Sequence, residues 1–145
     1  PDSRLILCGN GAVKQTKSII ESLNLSNFVE IKGWLDNEDL RGVYCEASVL
    51  LLPSKAEGLP MALLEAMSYG VVPITTKVGA IPEIVDRNSG WLVENSEDSL
   101  HDAMVESFNG EMLSLKRENL EGSLAMLYIE NYCRKLTRAY ATIDG

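Results

Sequence analysis

A single histidine, His101, is all the imidazole chemistry available in these 145 residues. No His-based metal site or Ser-His-Asp triad is expected on it, and its polar surroundings put it on the outer face of a helix. Cysteine is scarce as well. Cys8, Cys45 and Cys133 stand far apart, at apolar positions, and form no C-x-x-C pair. Such thiols exclude a disulfide framework or a zinc knot and fit a reducing compartment. Positive charge is short: 13 Lys and Arg against 21 Asp and Glu leave a net charge of −8. A nucleic-acid partner is therefore not expected, because its phosphates call for a basic face. The same deficit is awkward for any site that must hold a diphosphate. No apolar run is long enough to span a bilayer.

What is present is an ordinary globular composition, 46% apolar, enough for one domain with a real core. The first residues, Pro1-Asp2-Ser3-Arg4, run straight into a strand, and no signal peptide is expected. The expectation is a single domain over residues 1–145, cut from a longer chain. Strands and helices alternate. Residues 4–8 read as a buried strand ending in the tight turn Gly9-Asn10-Gly11, followed by a helix to Asn24 with Val13, Ile19, Ile20 and Leu23 on its apolar stripe. The glycines lack the third member of a dinucleotide fingerprint, so they mark a turn. Residues 28–32 form a second strand, and Asp36 caps a helix to about Ala47. Trp34 either covers the core or stacks on a base.

A third strand, residues 49–52, leads through a polar loop into a helix with Pro60 at its first position and Gly70 as its C-cap. Residues 71–75 form strand four, residues 82–85 a short helix and residues 91–93 strand five. Ser96 starts a helix whose apolar face is Leu100, Met104, Val105 and Phe108, broken by Gly110. The remainder is helical with a break near Gly122, docking through Leu124, Leu127, Tyr128, Tyr132, Leu136 and Tyr140. The fold class is α/β: a Rossmann-like, three-layer α/β/α arrangement with a parallel sheet of about five strands.

In such folds ligands bind at the carboxyl edge of the strands. The junction from residue 49 to residue 67 lies there and carries two acids, Glu57 in the loop and Glu65 inside the helix. At 100° per residue Glu65 shares a face with Met61, Ala62, Ser68 and Tyr69, while Leu63, Leu64 and Met67 turn to the sheet. Two carboxylates so spaced suit a long, polyhydroxylated ligand, although an isolated pair of acids is more often solvated surface charge.

The series is longer than a pair. Ala47-Ser48-Val49-Leu50-Leu51-Leu52-Pro53-Ser54, Glu57-Gly58-Leu59-Pro60, Leu64-Glu65-Ala66-Met67, Gly70, Val72-Pro73-Ile74, Gly79, Pro82-Glu83-Ile84-Val85 and Ser89-Gly90-Trp91-Leu92-Val93 follow in order. From about Leu5 to Met104 the chain resembles the donor-binding domain of retaining GT-B glycosyltransferases of group 1 (family four), with Glu57 and Glu65 as the E-x7-E motif. The resemblance implies that Glu57, as the catalytic residue, lies beside the donor sugar, contacts its hydroxyls and stabilises positive charge at its anomeric carbon. Glu65 would accept hydrogen bonds from the ribose of a nucleoside-diphosphate sugar. Gly58, Leu59 and Pro60 would bring backbone and helix dipole to the sugar and diphosphate. Gly58, Leu59 and Met61 would be the N–H donors, since Pro60 has none. No metal and no cofactor are implied; the nucleotide sugar is a substrate.

The resemblance also implies what this chain does not hold. Family members begin this domain one strand earlier, with an Arg and a Lys that neutralise the diphosphate. They bind an acceptor glycan or lipid-linked sugar through an N-terminal domain. The isolated chain is therefore expected to be inactive and to bind nucleotide sugar weakly. Without that first strand, the sheet either closes in the order 2-1-3-4-5 or leaves an exposed edge through which chains associate. A cytoplasmic setting at the inner face of a membrane, in polysaccharide or lipopolysaccharide assembly, goes with the family. The competing expectation is a non-catalytic, flavodoxin-like binding or assembly module.

Overall fold

Segments of three to five residues rich in Val, Ile and Leu, closed by polar or glycine-containing loops, give short strands, and all of them pair in parallel. In the computed structural model, which describes residues 3–125, the order is β1 (Leu5–Cys8), α1 (Val13–Ser22), β2 (Val29–Lys32), α2 (Asn37–Glu46), β3 (Val49–Leu52), α3 (Met61–Ser68), β4 (Val72–Thr76), α4 (Ile81–Ile84), β5 (Trp91–Val93), α5 (Glu97–Ser107), α6 (Gly110–Glu118) and α7 (Leu120–Ala125). The five strands form two sheets, β1-β2 and β3-β4-β5. The chain divides into two compact units, Pro1–Cys45 and Glu46–Gly145. Among the described residues no helix is long and apolar enough to cross a membrane.

In the first unit Leu5 stands opposite Val29 and Cys8 opposite Lys32. Helix α1 ends in a Schellman turn: Asn24, at φ 55°, takes the left-handed position, and the N–H groups of Asn24 and Leu25 bond back to Glu21 and Ile20. Asn adopts that conformation more readily than other residues with a side chain. Of the expected α1 stripe, Val13 and Ile20 are half-buried but Ile19 and Leu23 are exposed. Asp36 caps α2 as expected, its Oδ1 accepting from the N–H of Glu38 at 3.0 Å and Asp39 at 2.9 Å.

The second unit holds the core. Every residue of β4 is buried, and Leu63, Met67, Ile81, Ile84, Val85, Trp91, Val93, Ala103 and Leu120 gather around it. A central strand containing Pro73 needs explanation, since Pro gives no N–H to a ladder. The partner position is adapted to it. Gly90 has no side chain, and a Cβ there would lie 2.7 Å from the Pro73 carbonyl oxygen and 2.8 Å from its ring. The Gly90 carbonyl takes its hydrogen bond from Lys116 Nζ at 2.9 Å, and the same ammonium donates to Arg87 O at 2.6 Å. Lys116 is buried with its Nζ 4.6 Å from the centre of the Trp91 ring, a cation–π contact. Burial holds this amine below its usual pKa, against the opposing pull of Glu106 and Asp86.

Several expectations shift. The helix after β4 starts at Ile81, not Pro82, and β4 itself runs one residue later. Val105 and Phe108 are exposed although Leu100 and Met104 do join the core. Only one side of α5 meets the sheet, so its apolar stripe is wider than the surface that covers it. Asn109 caps α6, accepting from Glu111 and Met112, so Gly110 opens that helix. The later break falls at Asn119, and Gly122 lies within α7. Cys8 and Cys45 are exposed. Leu124 packs against the core, whereas Cys133, Leu127, Tyr128, Tyr132, Leu136 and Tyr140 lie outside the described residues.

Candidate functional site

The junction from β3 to α3 forms where the sequence puts it. Pro60 is the N-cap rather than the first helical residue, with φ −73° and ψ 113°, and Met61 begins α3. An extended ψ at Pro60 lets its carbonyl accept from Leu63 N–H at 3.1 Å, and the residue is buried. No side chain caps this helix, which leaves its positive end to the surrounding loop. Leu63, Ala66 and Met67 are buried, and Met61, Ala62, Glu65, Ser68 and Tyr69 form the exposed face. The far end is a Schellman turn at Gly70, one position past the C-cap Tyr69: φ is +77°, Gly70 and Val71 N–H groups bond to Met67 and Ala66, and Arg117 Nε donates to Gly70 O at 2.9 Å. Buried at one face and tied at its tail, α3 presents Glu65 outward.

Glu57 is held more closely. The residue is half-buried, and its Oε1 accepts from Ser54 Oγ at 2.7 Å. Two buried hydroxyls on β4 fasten the chain leaving β3: Thr75 Oγ1 donates to Leu52 O at 3.1 Å and Thr76 Oγ1 to Ser54 O at 2.5 Å. The loop after β4 then lies against the Glu57 backbone. Ala80 N–H donates to Gly58 O at 3.1 Å. Gly79, at φ +54°, comes so close that a Cβ there would sit 2.9 Å from the Glu57 carbonyl carbon and from Gly58 O, and closer still to Glu57 O. Real Cβ atoms do not approach that near, so only glycine permits this packing. Neither Ser54, Thr76 nor Gly79 is singled out for such a part by spacing. The one local signal is a glycine in the loop after β4, at the same carboxyl edge.

The rest of the predicted loop is open. Gly58 and Leu59 are exposed, and a side chain at 58 would meet nothing within 4 Å. Lys55 is exposed. Lys77 pairs with Glu94 at 2.7 Å, beside a depression of about 420 Å³ that is also lined by Arg87, Trp91, Glu106 and Lys116. None of these residues belongs to the Glu57–Glu65 segment. Among the described residues no cluster of three or more His, Cys, Asp or Glu could hold a metal ion.

Asp86 organises the turn into β5. Burial opposes its ionisation, but hydrogen bonds from Ser89 and Asn88 outweigh that and hold its carboxyl below the usual range. In the first unit Asn10 Oδ1 accepts from Trp34 N–H at 2.9 Å, and Gly9 N–H reaches the carbonyls of Lys32 and Gly33, each at 3.1 Å. Those bonds join the loops after β1 and β2 and leave the Trp34 ring 82% exposed, so it does not cover the core. Although Cys8 as a residue is exposed, partial desolvation together with the Glu30 charge, countered by Lys32, pushes its thiol up.

Residues 1–121 match the family described as "Glycosyl transferases group 1". The amylovoran biosynthesis glycosyltransferase of Erwinia amylovora is 33% identical over 90 residues, 57% of this chain and 22% of that protein. The phosphatidylinositol N-acetylglucosaminyltransferase gpi3 subunit of Schizosaccharomyces pombe is 30% identical over 105 residues, 72% of this chain and 23% of that protein. The chain thus spans less than a quarter of the length of either relative. Among solved structures, an Anabaena protein crystallised with UDP and glucose superposes with a TM-score of 0.80 over 98% of this chain and 41% of its own, at 18% identity; at that identity the fold alone is shared.

Proposed function

The chain belongs to the glycosyl transferases group 1 family, and from that membership we propose that it is the donor-binding part of a retaining glycosyltransferase. A nucleoside-diphosphate sugar lies across the start of α3. Glu65, outward on the second turn, accepts hydrogen bonds from the ribose. The N–H groups of Gly58, Leu59 and Met61, together with the positive end of α3, face the diphosphate and sugar. Glu57 stands at the sugar. As the bond between the anomeric carbon and the phosphate oxygen breaks, positive charge grows on that carbon, and a fixed carboxylate stabilises it. An acceptor hydroxyl then attacks from the face the diphosphate leaves, and its proton passes to the departing phosphate. The donor is a substrate, and no resident cofactor is assigned. The residues that would hold the acceptor and close the site lie outside this chain. So do the cations that would offset a diphosphate beside a net charge of −8.

The observation that carries this function is the outward Glu65 on a helix entered through a loop that pins Glu57. Uridine diphosphate, the nucleotide bound by the Anabaena protein, is the first probe. Saturation-transfer NMR on the chain should show contact at the ribose protons, and Glu65→Ala should abolish it while leaving the thermal unfolding curve in place. Ribose contact that survives Glu65→Ala unchanged would remove Glu65 from the site.

A further inference from the structure

We propose that Ser54 is the positioning residue of Glu57, with Thr76 as the anchor that holds Ser54 in place. This rests on the donor-site function given above and assigns two residues to it. The Ser54 hydroxyl reaches Glu57 Oε1 at 2.7 Å. A hydroxyl so placed donates to the ionised carboxylate, occupies one of its oxygens and leaves Oε2 to meet the sugar. A loop glutamate with three free side-chain torsions would otherwise sample many rotamers and present either oxygen. Ser54 is fixed in turn. Its carbonyl accepts from Thr76 Oγ1 at 2.5 Å, and Thr76 lies in the fully buried central strand. The path therefore runs from the core, through one hydroxyl to the Ser54 backbone, and through a second hydroxyl to the carboxylate. The Glu57 main chain is located independently by Gly79 and Ala80, so Ser54 governs where the carboxylate points rather than where residue 57 sits.

The distinguishing readout is the difference between two probes, UDP-glucose and UDP, titrated onto the chain by NMR. Ser54→Ala should weaken UDP-glucose binding about three- to tenfold and leave UDP binding unchanged, because only the sugar end meets Glu57. Ser54→Thr keeps the hydroxyl and should restore the difference. Thr76→Val, which deletes the anchor's hydroxyl at nearly constant volume, should act in the same direction by a smaller factor. In the double variant Ser54→Ala with Glu57→Ala, the loss should not exceed that of Glu57→Ala alone, since the serine acts through the glutamate. A merely structural serine would weaken both probes together, and that result overturns the proposal. If Glu57→Ala lowers UDP-glucose affinity but Ser54→Ala does not, the positioning role fails while the donor site stands. If Glu57→Ala leaves the two probes equally bound, both fail.

Discussion

Glu57→Gln, made in a protein that joins this chain to an acceptor-binding domain, should lower kcat by about 10²–10³-fold, or roughly 3–4 kcal/mol of transition-state stabilisation. The substitution keeps the length of the side chain and an oxygen able to accept from Ser54 Oγ, so the loop has no reason to move. What it removes is the negative charge. On the proposed mechanism that charge matters little to a bound donor with an uncharged sugar, such as UDP-glucose, and most when positive charge has developed at the anomeric carbon. The KM for the nucleotide sugar should therefore change much less than kcat. A variant that retains kcat within about threefold would show that Glu57 only binds, or does neither.

Gly79→Ala should be nearly as severe, although Gly79 touches no reacting group. Two independent effects act together. A residue with a side chain at φ +54° adopts the left-handed conformation at a cost of about 1–2 kcal/mol. The new methyl would also drive into the carbonyls of Glu57 and Gly58, which are main chain and cannot rotate away. Either the loop after β4 or the loop after β3 must shift. A displacement of about 1 Å at a group beside the reacting carbon can cost on the order of 10²-fold in rate. The expected result is a large loss of turnover with a smaller fall in melting temperature. Gly42→Ala is the control: it lies in α2 with ordinary φ and nothing within 4 Å, so it should be neutral or slightly stabilising. If Gly79→Ala retains full activity, the two loops are not coupled as the close approach requires.

The contrast between these two residues shows what could be read from sequence. Helix α3 was legible because its determinants are local: a proline at its entrance, apolar residues three and four apart, and a glycine just past its end. The faces of Leu63, Met67 and Glu65 follow from that periodicity alone. The family series around Glu57 was legible for the same reason, being a set of short segments at fixed spacing. The part of Gly79 was not, because its neighbour is 22 positions earlier and only the fold brings the two together. Lys116 is a similar case. It looks like a solvated helix charge, yet it serves carbonyls 26 and 29 residues away, those of Gly90 and Arg87. Val105 and Phe108 fit the α5 stripe by period but stay exposed, since period specifies a direction and not the width of the surface that covers it. The five strands of the described residues could be counted from their β-branched and aliphatic segments; their division between two sheets could not, because pairing depends on which edges meet.

Everything functional turns on where a donor settles. The most direct measurement is a map of backbone amide shifts in the ¹⁵N-labelled chain during titration with UDP-glucose. Shifts should concentrate at Ser54, Glu57 to Glu65 and Gly79 to Ala80, omitting Pro60, which has no amide. Trp91, Lys116 and the rest of the 420 Å³ depression should stay still. Shifts confined to that depression, with α3 and its entry loop unmoved, would contradict the site.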